Sequence, residues 1–184
     1  ESTAVAPAAT TEPTTESATV EGVETPTADE VASEAVTITS PLVGRAVPIS
    51  QIPDPVFSTG VVGDGIAVEP ANNTVVCPAD ATIVTAPDSG HAFGLKLDSG
   101  VELLIHVGID TVELGGKGFD VKVKAGDHVS AGQPLVVFDP TVIDEAGYSK
   151  ITPVLVTNGF DYSNVTGIPA DDVTTNTAVI TVVK

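Results

Sequence analysis

Ala92-Phe93-Gly94-Leu95-Lys96-Leu97-Asp98-Ser99-Gly100-Val101-Glu102-Leu103-Leu104-Ile105-His106-Val107 is the stretch that decides the fold. Two β-rich runs, Ala92–Leu97 and Val101–Val107, flank the turn signal Asp98-Ser99-Gly100. The segment therefore predicts an antiparallel hairpin. In such a hairpin the start of the first strand lies beside the end of the second. His91, which precedes the first run, then comes near His106, which closes the second. The meeting of the two rings depends on register, because a slip of one residue turns every side chain to the other face.

The same pattern extends outward. Val36-Thr37-Ile38-Thr39 alternates apolar and polar residues, as a half-buried strand does. Further β-rich runs are Gly65–Val68, Thr74–Cys77, Ala81–Thr85, Val121–Val123, Pro134–Phe138, Ile151–Thr157 and Thr177–Val183. Between them lie Gly63-Asp64-Gly65, Asn72-Asn73, Pro87-Asp88-Ser89-Gly90 and Lys124-Ala125-Gly126-Asp127, all turn-forming. Many short strands at this spacing predict an all-β sandwich or barrel. Helix is expected to be minimal: a turn or two over Thr141–Ala146 and a short piece near Asp161–Asn164. One strand-turn-strand pattern occurs twice, over 75–83 and again over 123–135, which suggests a duplicated motif. The second copy, Gly126-Asp127-His128-Val129 into Gly132-Gln133-Pro134-Leu135, is similar to one in biotinyl and lipoyl carrier domains. Those domains carry a modified Lys at a hairpin tip. The corresponding turn here reads Pro78-Ala79-Asp80, which supports a related architecture and argues against that function.

Charge excludes several roles. The chain has 184 residues, a formal net charge of -18 and a pI near 4.1. Such an acidic surface repels nucleic acid and anionic lipid, and favours a partner with a basic face. The hydrophobic fraction of 42% suffices for a core. Its Val and Ile favour strands. The single cysteine, Cys77, excludes an internal disulfide and a multi-cysteine metal site, and fits a reducing compartment. No apolar run is long enough to span a membrane, so direct membrane insertion is not expected. No basic start with an apolar stretch marks a signal peptide. A chain that begins at Glu1 and lacks Met is expected to be processed or part of a longer polypeptide.

Residues 1–36 form a separate block, rich in Ala, Thr, Glu, Pro and Ser and without Lys, Arg or aromatic residues. Its acids repel one another, and it offers little apolar surface to offset chain entropy. Pro7, Pro13 and Pro26 oppose a continuous helix. A disordered acidic linker over 1–36, ahead of a domain over 37–184, is the expected organisation.

His106 stands among Leu103, Leu104, Ile105, Val107 and Ile109, expected to form a dry, rigid wall. An imidazole titrates near neutrality, so a ring held there is an available nucleophile. A satisfied core histidine is the rival reading, against which His91 and Asp110 are the counterweight. Gly108 allows another backbone to approach the ring.

The motifs carry a resemblance. They are Ser40-Pro41-Leu42-Val43-Gly44, Ile52-Pro53-Asp54-Pro55-Val56-Phe57, Gly63-Asp64-Gly65-Ile66-Ala67 and His91-Ala92-Phe93. Above all there is Glu102-Leu103-Leu104-Ile105-His106-Val107-Gly108-Ile109-Asp110-Thr111-Val112-Glu113-Leu114, with Gly118-Phe119, Phe138-Asp139 and Ile151-Thr152-Pro153-Val154 continuing. From about Thr37 to the C-terminus the chain resembles the glucose-type enzyme IIA domain of the bacterial phosphoenolpyruvate-dependent sugar phosphotransferase system. The resemblance implies an antiparallel β-sandwich with an incomplete barrel, a barrel-sandwich hybrid. It implies a phosphotransferase component that accepts a phosphoryl group from phospho-HPr on His106 Nε2. The group then passes to a cysteine of a IIB domain during sugar uptake. His91 matches the histidine that hydrogen-bonds the phosphoryl oxygens. Ser89, where the family often has Thr, is placed to orient His91. Asp54, Val56, Phe57 and Asp110 match the rim and apolar face that receive partners. No cofactor is required; zinc held by His91 and His106 with a partner's carboxylate is the one metal implied. HPr, a IIB domain and regulatory targets are the partners implied. The location implied is cytoplasmic, tethered to the inner face of the membrane through a fused permease.

Two departures from the family pattern stand out. Gly90 replaces a larger polar residue and is expected to loosen the turn before His91. Gly115 replaces a common Lys. His128, Cys77, Lys122 and Lys124 read as structural or solvated residues. Two rival functions are set beside the relay. His106-Val107-Gly108-Ile109-Asp110 has the His-x-x-x-Asp spacing of a zinc peptidase family, without that family's later His-x-His. A binding-only module would keep the fold and gain no phosphate.

Overall fold

Strands dominate the computed structural model, which describes residues 34–184. In chain order they are β1 (Ala35–Thr39), β2 (Gly44–Val47), β3 (Asp64–Pro70), β4 (Thr74–Val76), β5 (Ala81–Thr85), β6 (Ala92–Leu97) and β7 (Glu102–His106). There follow β8 (Phe119–Val121), β9 (His128–Val129), β10 (Pro134–Phe138), β11 (Thr152–Val156), β12 (Asn164–Gly167), β13 (Ala170–Val173) and β14 (Ala178–Val183). Two short helices, α1 (Pro55–Ser58) and α2 (Pro140–Glu145), join them, with 3-10 turns over Ile49–Gln51, Thr111–Leu114 and Gly159–Asp161. Of the expected linker, residues 1–33 lie outside the described residues, while Ala35 and Val36 already belong to β1.

The strands form three sheets: β1-β14-β12, β4-β10-β8, and an eight-stranded sheet in the order β13-β2-β3-β11-β7-β6-β5-β9. The large sheet starts at β13 and ends at β9, so it does not close into a barrel. Alternation along the strands explains how the sheets pack. Ile66, Val68, Leu103, Ile105, Val154 and Val156 point from the large sheet into one core. They meet Ile38, Ile180 and Val182 from one small sheet and Val75, Val136 and Phe138 from the other. Each such side chain contributes roughly 1.5–3 kcal/mol when fully buried. This is the sandwich that the pattern predicts. The two echoing stretches pair with each other: β4 with β10, and β5 with β9.

The opposite face of the large sheet carries a smaller apolar cluster. Val47, Ile52, Ala67, Ile109 and Ile151 form it, with Ile49 and Phe57 packed against them. This second cluster is the floor on which the site stands.

Four strands escape the sequence pattern: β2, β9, β12 and β13. β9 has two residues and β13 reads Ala-Asp-Asp-Val, so neither shows apolar alternation; their partners on the large sheet impose the extended form. The strand expected over Val121–Val123 begins earlier, at Phe119, because Phe119 to Val121 pair with β10. Near Asp161–Asn164 the helical turn closes at Asp161, and Asn164 already opens β12 against β14. The helix expected over Thr141–Ala146 is α2, capped by Asp139 accepting from the Thr141 N–H.

Candidate functional site

The β6–β7 pairing puts Ala92 opposite His106. His91, one residue earlier, accepts the Val107 N–H at 2.6 Å through its carbonyl. The two imidazoles therefore meet: their centroids are 5.3 Å apart, edge to face at 73°. His106 Nδ1 lies 2.6 Å from the Gly108 carbonyl oxygen. A carbonyl only accepts, so Nδ1 carries the proton and Nε2 of the neutral ring keeps its lone pair. Ser89 Oγ lies 2.6 Å from His91 Nδ1, which leaves His91 Nε2 for another partner.

α1 supports the first ring from one side. Asp54 caps that helix, with Oδ1 accepting from Val56 N at 2.7 Å and Phe57 N at 3.3 Å. Pro55 occupies the first turn, where no N–H is needed. The cap sets Phe57 against His106, with ring centroids 4.9 Å apart. Val56 on the same helix points outward and is 53% exposed. On the other side, Asp110 is exposed and adopts the left-handed conformation, φ +60°. Val112 follows it, 48% exposed. Both rings are half-buried, with Phe57 against His106 and the carboxylates of Asp54 and Asp110 close enough for their charges to act on it. A cavity of about 340 Å³ lined by Asn72, Asn73, Phe138, Pro140 and Lys150 includes neither histidine.

Burial pushes the His106 pKa below its ordinary 6.5, against the Gly108 hydrogen bond and the charges of Asp54 and Asp110, which act upward. His91 is also lowered, by burial and then by His106 beside it. Both shifts favour the neutral ring.

Three details differ from the sequence reading. Leu103 and Ile105 face the core, so strand alternation turns them away from His106; Phe57 and the small cluster supply the apolar surroundings instead. Gly90 does not loosen its turn. It is buried with φ +65°, and a Cβ there would lie 2.8 Å from Val121 Cγ2 and 2.9 Å from Phe119 Cβ. The turn that presents Ser89 and His91 is thus pressed against β8. Val112 escaped notice, although an apolar residue inside Asp110-Thr111-Val112-Glu113 is the signal that marks it.

Among the described residues no group of three or more His, Cys, Asp or Glu is arranged to hold a metal. His91 and His106 offer one free nitrogen each, half of a tetrahedral zinc shell. His128 pairs with Asp98 at 3.2 Å, beyond the other end of β6 from His91. The third ligand that a peptidase centre needs is therefore not supplied. Cys77 is buried, its thiol pushed up to about 11 chiefly by burial, and it is inert core. Lys122 and Lys124 face solvent.

Residues 36–162 match the family model for the phosphoenolpyruvate-dependent sugar phosphotransferase system, EIIA 1. The mannose-specific EIIBCA component of Corynebacterium glutamicum is 52% identical over 151 residues, which are 82% of this chain. The chain spans 22% of that relative's length. The glucose-specific EIIA component of Oceanobacillus iheyensis is 38% identical over 139 residues, 76% of this chain and 84% of that protein. Among solved structures, the glucose permease IIA from Mycoplasma capricolum superposes with a TM-score of 0.72 at 30% identity. That match covers 82% of this chain and 97% of the other.

Proposed function

The chain belongs to the EIIA 1 family of the phosphoenolpyruvate-dependent sugar phosphotransferase system, and on that footing we propose that His106 Nε2 is the atom that carries the phosphoryl group. The observation behind this reading is the His106 Nδ1–H bond to the Gly108 carbonyl. It leaves the Nε2 lone pair unprotonated beside a second imidazole. The donor is phospho-HPr and the acceptor is a cysteine of a IIB domain.

Transfer between histidines is balanced without an added reagent. The Nε2 lone pair forms the new N–P bond while the donor's N–P bond breaks and its electron pair stays with the donor ring. Nδ1–H stays on His106 throughout, so the phosphorylated ring becomes positive. The Gly108 carbonyl, Asp54 and Asp110 stabilise that charge, as their upward effect on the ring's pKa indicates. Ser89 donates its hydroxyl proton to His91 Nδ1, and His91 Nε2–H then donates to the transferring oxygens, where charge develops. Val56, Phe57 and Val112 form the apolar part of the docking face, with Asp54 and Asp110 at its rim. An open face of this kind suits a protein donor better than a small molecule. No resident cofactor enters the reaction; zinc would sit on His106 Nε2 and His91 Nε2 only if the His91 proton moved to Nδ1, with Ser89 accepting it, and a partner brought further ligands.

The relatives are named for mannose in one case and glucose in another, so the family likeness does not fix the sugar. Among the described residues no helix is long and apolar enough to cross a membrane. The segment ahead of β1 acts as a tether to a permease at the inner face of the membrane, which raises the local concentration of the domain near its IIB partner.

Incubation with phosphoenolpyruvate, enzyme I and HPr, followed by mass analysis, tests the reading. Wild type should gain one phosphoryl group, and His106→Gln none. His91→Gln should accept the group and fail to hand it on to a IIB domain. An unmodified wild-type chain would leave the binding-only reading standing.

A further inference from the structure

Buried hydroxyls are rare in this domain, and one lies in the loop after His106. Thr111 is fully buried, although Asp110 before it and Val112 after it are exposed. Its Oγ1–H donates to the Val107 carbonyl at 2.5 Å. Its methyl closes on the next residue: a Cβ added to Gly108 would lie 2.6 Å from Thr111 Cγ2. The Ser149 carbonyl oxygen would be 2.8 Å from that same Cβ. It also accepts the Ile109 N–H at 2.9 Å. Gly108, at φ +75°, therefore has the space beside its Cα filled by a threonine side chain and a neighbouring backbone. Its carbonyl is the one that fixes the proton on His106 Nδ1.

We propose that Thr111 is a positioning residue for phosphoryl transfer, its hydroxyl locking the Val107–Gly108 turn so that the Gly108 carbonyl holds His106 with Nε2 unprotonated. This rests on the assignment of Nε2 as the accepting atom. Without the lock the turn gains freedom, and rings that carry their proton on Nε2 cannot attack. Small errors of alignment at a reacting atom weigh heavily on rate.

The test uses the whole chain with Thr111→Val, which keeps the volume and removes the hydroxyl, and Thr111→Ser, which keeps the hydroxyl. Nitrogen NMR of the His106 ring reads the tautomer without any partner, and rapid-quench transfer from phospho-HPr reads the rate. Wild type and Thr111→Ser should show Nδ1–H as the single tautomer. Thr111→Val should show a mixture and a rate lower by about ten- to a hundredfold. A folded Thr111→Val with the wild-type tautomer and rate overturns the inference. Should Thr111→Val not fold, Thr111→Ser against Thr111→Ala decides it: equal tautomer ratios and rates in that pair overturn the inference, and loss in Thr111→Ala alone supports it. If wild type takes no phosphate, the assignment of Nε2 fails, while the tautomer measurement still decides the role of Thr111.

Discussion

Replacing Gly90 by alanine separates two accounts of the turn that carries His91. If glycine served there for flexibility, alanine would stiffen the unfolded chain and stabilise the fold by about 0.4–1 kcal/mol. The packing gives the opposite sign. The backbone at Gly90 has φ +65°, and an L-residue in that region costs roughly 1–2 kcal/mol. The new methyl would sit 2.8 Å from Val121 Cγ2 and 2.9 Å from Phe119 Cβ, both inside normal contact. Overpacking of this kind costs about 1–3 kcal/mol. A loss near 3 kcal/mol is therefore expected, which lowers Tm by roughly 6–12 °C in a domain of this size. Urea unfolding followed by circular dichroism measures it. The same substitution in a Val121→Ala background should cost less, since one of the two clashing groups is gone. A Gly90→Ala variant as stable as wild type refutes the reasoning. Equal cost in both backgrounds refutes the packing half of it.

Asp54 offers a second test, because the residue expected at the docking rim also caps α1. Asp54→Ala should cost about 1 kcal/mol and loosen Phe57, seen as a changed ring-current shift on His106; Asp54→Asn keeps the cap and should leave that shift in place. The histidines make stability depend on pH with a definite sign. Burial lowers the pKa of His106 and His91 in the folded chain, so below 6.5 the unfolded chain binds more protons. Their neutral burial costs nothing above the unfolded pKa, and stability is lost as pH falls from there through the folded values. Urea midpoints at about pH 7.5 and 5.5 should therefore differ more for wild type than for His106→Gln, and parallel behaviour would count against it.

Much of this was readable from residues alone. The hairpin over 92–107 was legible because its apolar runs are long and its turn residues unmistakable. Register, which decides whether the two rings meet, is set by pairing with β11 and the core beneath it, and no local pattern records that. β13, Ala-Asp-Asp-Val, is a strand only because β2 offers it an edge. α1 is too short for periodicity to register, although Asp54-Pro55 spells out its cap and its first turn. The misjudgement of Gly90 has the same origin: glycine in a sequence looks like freedom, and only Phe119 and Val121, some thirty residues on, show that it is a fit. That the His106 ring donates to a backbone carbonyl was to be expected, but not that Gly108 supplies it: every residue has a carbonyl, and only the conformation decides which one meets the ring.

That last point has an evolutionary side. The reactive ring is aligned by main-chain oxygens, those of His91, Gly108 and Ser149. A point mutation cannot delete a carbonyl, whereas it can change the exposed side chains of Val56, Asp110 and Val112 without touching that alignment. A lineage built this way keeps its chemistry while it renegotiates its acquaintances: new clients can be recruited one surface substitution at a time, without re-tuning the nucleophile they all share.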